Sequence, residues 1–144
     1  MNEFPGILFV DDDTNLLDSF RRHFGRSFEV VTAASAEEAL KILDTGRRFS
    51  AIISDQRMPG MDGASLLGEI SRREPLAARI LLTGLSDQPV AVRAINEGHV
   101  FAFLQKPVPL EMLEETINEA VDTWKIRKHE KDYIDREMSD IAFL

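Results

Sequence analysis

The chain has 144 residues, which suits a single domain of ordinary size, and its 44% of hydrophobic residues argues against global disorder. The 25 acidic and 17 basic residues give a net charge of −8, which opposes nonspecific attraction to nucleic acid or to anionic lipid. The chain contains no cysteine, so disulfides and thiolate chemistry are excluded.

No apolar run approaches the roughly 18 residues of a membrane span, and the first residues lack the basic and apolar regions of a signal peptide. We therefore predict a cytoplasmic protein that makes no direct contact with membrane or nucleic acid. Any contact with DNA would have to come from another domain or from a partner.

The first predicted strand is the continuously apolar run 6–10, which stops at the three aspartates 11–13. Continuous rather than alternating hydrophobicity is typical of a parallel strand that is covered on both faces. Asp13 or Thr14 can cap the helix that follows, and Gly25 ends it.

A second strand over 28–31 leads into a capping box at 35–38, which opens a helix that ends at Gly46. The next apolar run, 51–54, is followed by Asp55 and then by a turn that contains proline and glycine. This pattern predicts a buried central strand that delivers Asp55 into a crevice at its carboxyl end. The alternative is that Asp55 only caps a turn.

The second half of the chain continues the same alternation. It is predicted to contain a helix with Leu66, Leu67 and Ile70 inward, a strand over 79–82, a short helix, a strand over 100–104, and a last helix from Pro109 or Leu110. Ser86 or Asp87 can cap the short helix, and Val92 and Ile95 are predicted to form its core face. Five strands thus alternate with five helices, which predicts an α/β fold with a doubly wound parallel sheet.

Polar residues follow four of the predicted strands. Asp11 and Asp12 come after the first strand, Asp55 after the third, Thr83 after the fourth and Lys106 after the fifth. Parallel strands have their carboxyl ends on one edge of the sheet, so these side chains are predicted to converge in one crevice. Crowded carboxylates repel one another, and a hard divalent cation such as Mg²⁺ relieves that repulsion. An aspartate can be the nucleophile in acyl phosphate formation, while threonine and lysine suit phosphoryl oxygens.

The sequence resembles the receiver domains of response regulators in the two-component systems of bacterial signalling. The segments 7–13, 55–63, 82–84 and 103–107 carry the resemblance by their order and spacing, and it covers the chain from about residue 6 to residue 124. It implies a flavodoxin-like sheet with strand order 2-1-3-4-5. It also implies a phosphoprotein that is a signalling switch, and no enzyme beyond its own phosphoryl transfer and dephosphorylation.

The resemblance implies that Asp55 is the phosphoacceptor and takes the phosphoryl group from a sensor histidine kinase or a histidine phosphotransfer protein. Mg²⁺ is the implied cofactor, with Asp12 and Asp55 as its side-chain ligands. The backbone carbonyl of Arg57 is a further implied ligand, and Asp11 holds the ion through water. Arg57 and Gly84, next to the site, are predicted to influence the lifetime of the aspartyl phosphate.

The resemblance also implies that Thr83 and Lys106 grip the phosphoryl group, and that the Lys106–Pro107 bond is cis. Phe103 occupies the position of a switch aromatic, three residues before Lys106. On this interpretation Thr83 moves toward the phosphoryl group and Phe103 turns inward, which changes the surface of the fourth helix, fifth strand and fifth helix. The alternative for Phe103 is an ordinary core residue.

The last helix is predicted to run from Leu110 to about Ala142, because this stretch contains neither glycine nor proline. A receiver domain needs only the first half, so we assign residues 1–124 to the domain and residues 125–144 to a helical extension. A 4-3 spacing continues through both parts at Leu113, Ile117, Ala120, Trp124, Arg127, Lys131, Ile134, Met138 and Ile141. It predicts a helix that forms a homodimer or connects to an output domain, the alternative being a tail that frays or folds back. The fourth helix, fifth strand and fifth helix are a second candidate surface for a homodimer.

Two other functions compete with the signalling switch. Residues 11–14 also resemble the Asp-x-Asp-x-Thr motif of haloacid-dehalogenase-like phosphatases, with Asp11 as the nucleophile and the threonine one position early. That interpretation lacks a further strand that ends in acidic residues, and it leaves residues 55–59 unexplained. A module that only dimerises, independently of phosphorylation, has no need of carboxylates that repel one another.

Overall fold

The computed structural model describes residues 6–142, which form five strands and five helices. The strands are β1 (Gly6–Val10), β2 (Glu29–Ala33), β3 (Ala51–Asp55), β4 (Ala78–Thr83) and β5 (Ala102–Gln105). The helices are α1 (Thr14–Phe24), α2 (Ala36–Asp44), α3 (Gly63–Arg73), α4 (Gln88–Asn96) and α5 (Leu110–Ala142), and a 3₁₀ turn at Leu85–Asp87 precedes α4. All strand pairs are parallel and the order is β2-β1-β3-β4-β5, which confirms the predicted doubly wound, flavodoxin-like fold.

Two strands are displaced by one or two residues from their predicted positions. β2 covers 29–33 instead of 28–31, and β5 covers 102–105 instead of 100–104. Hydrogen bonding to the neighbouring strand sets these ends, whereas an apolar run can begin before the ladder does. Val100 illustrates this, since it is buried although it precedes β5.

The sheet separates two hydrophobic clusters. Ile7 and Phe9 of β1 belong to the cluster that contains α1 and α5, while Leu8 and Val10 belong to the cluster that contains α2, α3 and α4. Phe9 also stacks on Phe24 of α1, with ring centroids 5.5 Å apart. Burial on both faces explains why β1 is continuously apolar.

The predicted starts of α1 and α2 are confirmed. The Asp13 carboxylate accepts hydrogen bonds from the backbone N–H groups of Asn15 and Leu16, at 3.1 and 3.2 Å. The Ser35 hydroxyl accepts one from the Glu38 N–H at 3.1 Å. These caps satisfy backbone donors that no helical carbonyl can reach, so short sequence patterns fix where both helices begin.

The predicted core face of α4 is wrong. Val92 and Ile95 are 47% and 39% exposed, and the buried residues of this helix are Ala91 and Ala94. Apolar residues lie on so much of this nine-residue helix that their spacing does not select one face. The small alanine side chains let the helix lie close to the core, and the larger side chains remain on the outer surface.

The predicted long last helix is confirmed, because α5 continues without a break for 33 residues. Leu113, Ile117 and Ala120 are buried in the cluster beside α1, whereas every side chain from 125 to 141 is exposed. The second half of the predicted 4-3 stripe, from Arg127 to Ile141, is therefore exposed, although Lys131 still lines a pocket with Phe49 and Ala77. Within residues 6–142, no helix combines the length and the apolar character that a membrane span requires.

The first half of α5 runs from one edge of the sheet to the other. Leu110 lines a pocket together with Lys106, at the carboxyl edge. Trp124 lines another pocket together with Phe49 and Ala77, which precede β3 and β4 at the amino edge. The extension of α5 therefore leaves the sheet at the edge opposite the carboxyl ends of the strands.

Candidate functional site

The turn after β3 holds Asp55 at the carboxyl edge of the central strand. A Cβ atom on Gly63 would lie 2.2 Å from the Asp55 carbonyl oxygen, so only glycine lets α3 begin this close to the strand. The Gly63 N–H donates to the Gln56 carbonyl at 3.0 Å, and the buried Gln56 side chain accepts from the Ala64 N–H at 2.8 Å. Gly60 supplies a positive φ of 80° within the turn. These contacts fix the turn that directly follows Asp55.

Three carboxylates lie together at this edge. One oxygen of each of Asp11, Asp12 and Asp55 lies within 4.8 Å of the others. Asp11 is buried and accepts a hydrogen bond from the Asp13 N–H at 2.9 Å, whereas Asp12 is exposed. Carboxylate oxygens are the hard ligands that Mg²⁺ prefers, so the residues present fit this ion.

Lys106 reaches into the same cluster. The Lys106–Pro107 bond is cis, as predicted, and the Lys106 backbone N–H donates to the Thr83 carbonyl at 2.7 Å. The Nζ atom lies 2.9 Å from Oδ2 of Asp11 and 3.2 Å from Oδ1 of Asp55. The structure thus brings the predicted lysine and the predicted acceptor into direct contact.

Burial and the charges of the cluster shift the pKa values of Asp55 and Lys106. Burial and then the charge of Asp11 raise the pKa of Asp55 above its usual value, and Lys106 offsets only part of this rise. Burial alone would lower the pKa of Lys106, but the hydrogen bond and charge of Asp11, together with Asp55, leave it raised. Lys106 is therefore an ammonium at neutral pH, and the surrounding carboxylates outnumber it. A bound cation would relieve the remaining repulsion.

Thr83 and Phe103 lie on neighbouring strands beside this cluster. Leu82 of β4 is paired with Asp55, and Thr83 is the next residue of the same strand. The Thr83 hydroxyl is buried and donates to the Leu104 carbonyl at 3.5 Å, the long limit for a hydrogen bond. Phe103 is half-buried and packs against the cluster that contains α2, α3 and α4.

The Arg57 side chain has a partner that the sequence did not predict. Its Nε atom lies 3.1 and 3.2 Å from the two carboxylate oxygens of Asp87, and a terminal nitrogen lies 2.9 Å from the Ser86 hydroxyl. Asp87 was predicted only as a possible helix cap. It stands at the cap position of α4, but its carboxylate makes no cap hydrogen bond to that helix. No spacing rule could connect it with Arg57, because 30 residues separate the two.

Known proteins resemble this chain in sequence. Residues 7–118 match the response regulator receiver domain. The hydrogenase transcriptional regulatory protein HoxA of Cupriavidus necator is 35% identical over 116 residues, which are 81% of this chain and 24% of that protein. The transcriptional regulatory protein GlrR of Escherichia coli is 39% identical over 117 residues, which are 81% of this chain and 26% of that protein. The chain thus spans about a quarter of the length of these curated relatives.

Solved structures share the fold. A response regulator receiver domain protein from Clostridium thermocellum has a TM-score of 0.80 and 34% identity, over 85% of this chain and 98% of that one. An adenylate cyclase chain from Rhodopirellula baltica has a TM-score of 0.89 and 34% identity, over 92% of this chain and 98% of that one. These matches favour neither the phosphatase nor the module that only dimerises. The chain therefore belongs to the response regulator receiver domain family, whose members are phosphorylation-activated signalling modules.

Proposed function

We propose that Asp55 is the phosphoacceptor and that its donor is a sensor histidine kinase or a histidine phosphotransfer protein. Receiver domains of response regulators receive phosphoryl groups from histidine kinases, and they are signalling modules rather than classical enzymes. One observation carries the proposal: Asp55 has two further carboxylates within 4.8 Å and the Lys106 ammonium at 3.2 Å.

The residues around Asp55 suit phosphoryl transfer. An oxygen of the Asp55 carboxylate attacks phosphorus, the P–N bond to the donor histidine breaks, and its electron pair leaves with the imidazole. Lys106, held by Asp11, neutralises charge on the transferred phosphoryl oxygens. Thr83 adds a hydroxyl donor once it turns away from the Leu104 carbonyl. The chain promotes only its own phosphorylation and dephosphorylation.

The acidic cluster is the proposed magnesium site. Receiver domains generally bind Mg²⁺ at an acidic pocket. In this chain the proposed ligands are the side chains of Asp12 and Asp55 and the backbone carbonyl of Arg57, with Asp11 in contact through water. Mg²⁺ bound here supplies positive charge to the phosphoryl oxygens. The exposure of Asp12 supports the proposal, because Mg²⁺ usually keeps several of its waters.

The donor has an apolar surface available beside the acceptor. A pocket of about 520 Å³ opens next to Lys106, between α1 and the start of α5, and Leu16, Phe20, Val108 and Leu110 line it. The donor histidine must come within bonding distance of Asp55. Apolar contacts in this pocket would hold the donor there while the transfer takes place.

Thr83 and Phe103 are the proposed switch. The long hydrogen bond of Thr83 and the partial burial of Phe103 support this proposal, because a weak hydrogen bond and a partly exposed ring cost little to displace. The surface of α4, β5 and α5 would then change. That surface carries exposed apolar residues suited to a partner, including Val92, Phe101 and Met112.

Residues 1–124 are the proposed receiver domain, and residues 125–144 are the proposed helical extension. The extension exposes Ile126, Tyr133, Ile134, Met138 and Ile141, which supports pairing with a second copy or a connection to an output domain. Sedimentation of the full chain against a chain that ends at residue 124 tests the pairing. A dimer that persists after truncation would instead favour the surface of α4, β5 and α5.

The cytoplasmic location of the protein stays a prediction.

Incubation with Mg²⁺ and acetyl phosphate tests the acceptor. We expect one phosphoryl group, mapped to Asp55 by mass spectrometry and absent from an Asp55→Asn variant. Rapid multiple turnover that an Asp11→Asn variant loses would support the phosphatase instead. A chain that dimerises and is never labelled would support the module that works without phosphorylation.

A further inference from the structure

An ion pair joins the loop after β3 to the turn before α4. Besides the two bonds from its Nε atom, Arg57 places a terminal nitrogen 3.0 Å from Oδ1 of Asp87, so two guanidinium nitrogens contact one carboxylate. Bidentate pairs of this kind are the strong form of the interaction. The Asp87 side chain is 7% exposed, whereas the Arg57 side chain is 70% exposed. Water can therefore solvate the Arg57 guanidinium if the pair is broken, whereas the buried Asp87 carboxylate would lose most of the compensation for its charge.

The Asp87 carboxylate also restrains the backbone directly after Thr83. It accepts a hydrogen bond from the Gly84 N–H at 3.1 Å, and the Asp87 N–H donates to the Gly84 carbonyl at 3.1 Å. The turn 84–87 is thus closed on itself and tied to Arg57. In this arrangement the Thr83 hydroxyl contacts β5 through the Leu104 carbonyl.

We infer that the Arg57–Asp87 pair is a latch that holds the turn 84–87 in its resting position and so opposes the movement of Thr83 toward a group on Asp55. The inference rests on the proposed function, because the resting position has meaning only if Asp55 is the phosphoacceptor. Movement of Thr83 displaces Gly84, whose N–H the latch restrains. Opening the latch therefore raises the population of the active arrangement, and with it the apparent affinity of the site for a phosphoryl analogue.

The two halves of the latch differ in what their removal leaves behind. Arg57→Gln leaves the buried Asp87 carboxylate with the Gly84 N–H as its remaining partner, and an undercompensated buried charge favours an open turn. Asp87→Asn leaves an exposed guanidinium that water solvates, and the asparagine oxygen still accepts from Gly84. We therefore expect the affinity to rise about tenfold in Arg57→Gln and about threefold in Asp87→Asn.

The test uses the full chain with Mg²⁺ and beryllium fluoride, an analogue of the phosphoryl group. Affinity is measured by titration calorimetry, and the amide resonances of residues 83–87 and Phe103 are recorded in the free protein. In both variants these resonances should shift toward their positions in the beryllium fluoride complex of the wild type. The substitutions change the net charge in opposite directions, so an effect of one sign in both cannot come from bulk electrostatics at the magnesium site.

A double variant and a control complete the design. Because the two residues act as a unit, Arg57→Gln combined with Asp87→Asn should have no larger effect than Arg57→Gln alone. Arg73→Gln, the control, removes an ion pair to Asp44 at the C-terminal ends of α3 and α2. It should change neither the affinity nor the resonances of residues 83–87.

Three other results would overturn the latch, and one of them would overturn the proposed function as well. Unchanged affinity and unshifted resonances in both variants, with normal binding by the wild type, would overturn the latch and leave the proposed function intact. Effects that add in the double variant would also overturn it, since the residues would then act separately. Failure of the wild type to bind beryllium fluoride at Asp55 would overturn the proposed function, and the latch with it.

Discussion

The ammonium of Lys106 lies closer to Asp11 than to Asp55, at 2.9 Å against 3.2 Å. Asp11 is almost fully buried, so its carboxylate is held in place and in turn holds the lysine. Asp11 therefore positions Lys106 in addition to its proposed contact with the metal ion. The two roles of Asp11 can be separated by a substitution of Lys106. Such a substitution removes the lysine that Asp11 positions, but it leaves all three carboxylates available to bind the metal ion.

Lys106→Met is expected to slow the phosphorylation of Asp55 by acetyl phosphate about 100-fold, because it removes a preorganised positive charge from the phosphoryl site. Binding of Mg²⁺, measured by calorimetry, should persist. Lys125→Met, on the exposed part of α5, is the matched control and should react like the wild type. Equal rates in both variants would remove Lys106 from the phosphoryl site.

Asp55→Asn is expected to raise the thermal unfolding midpoint at neutral pH without Mg²⁺. The pKa of Asp55 is raised above 3.8 in the folded protein, chiefly by burial, so the folded state binds this proton more tightly than the unfolded chain does. The ionised carboxylate therefore costs stability above its folded pKa, and the cost disappears as the pH falls toward 3.8. The gain in Asp55→Asn should shrink over that window. An equal gain in Asp18→Asn would mean that net charge alone is responsible.

Mg²⁺ is expected to stabilise the folded chain, because it binds the assembled carboxylates and not the unfolded chain. The free energy of unfolding should rise by about 1.4 kcal/mol when free Mg²⁺ is ten times its Kd, and EDTA should reverse the effect. Asp12→Asn should lose most of this response at little structural cost, since Asp12 is exposed. Asp18→Asn, an exposed acidic residue of α1, should keep it. An undiminished response in Asp12→Asn would place the ion elsewhere.

Arg79 is a buried cation that fastens two loops. Its guanidinium donates to the backbone carbonyls of Glu74, Pro75, Ala77, Gly98 and His99, at distances from 2.7 to 3.4 Å. Arg79→Met fills similar space without these donors, and we expect it to lower the free energy of unfolding by about 2–4 kcal/mol in urea titrations. Arg93→Met, an exposed site on α4, should change it by less than about 0.5 kcal/mol.

The buried face of α4, formed by Ala91 and Ala94, is expected not to tolerate a larger side chain. Ala94→Leu should destabilise the protein by about 1–3 kcal/mol, because extra methyl groups have to fit into a packed interface. Ile95→Ala, at the adjacent exposed position, should cost less than about 1 kcal/mol. If urea titrations gave the opposite ranking, they would favour the predicted orientation of α4, with Val92 and Ile95 on its core face.

The sequence was sufficient where structure depends on short patterns or on topology. Asp13 and Ser35 cap their helices through bonds to residues at most three positions away, so the local pattern contains the answer. Asp11, Asp55 and Lys106 converge because parallel strands end at one edge whatever the details of packing. Both results follow from rules that need no knowledge of side-chain contacts.

The sequence was insufficient where competing contacts decide the outcome. Burial of Ala91 and Ala94 instead of Val92 and Ile95 depends on how closely α4 approaches the core, which hydrophobicity does not encode. The partner of Arg57 is one of many carboxylates in an acidic chain, and only the folded loops select it.

The direction of α5 makes its extension a lever arm with its fulcrum near Trp124. From there to Ile141 the helix measures about 25 Å at 1.5 Å per residue, and all its side chains from 125 to 141 are exposed. A tilt of about 10° at the fulcrum would displace the far end by about 4 Å. Small repacking at the edge opposite Asp55 is thus magnified into a larger displacement at the far end of the helix.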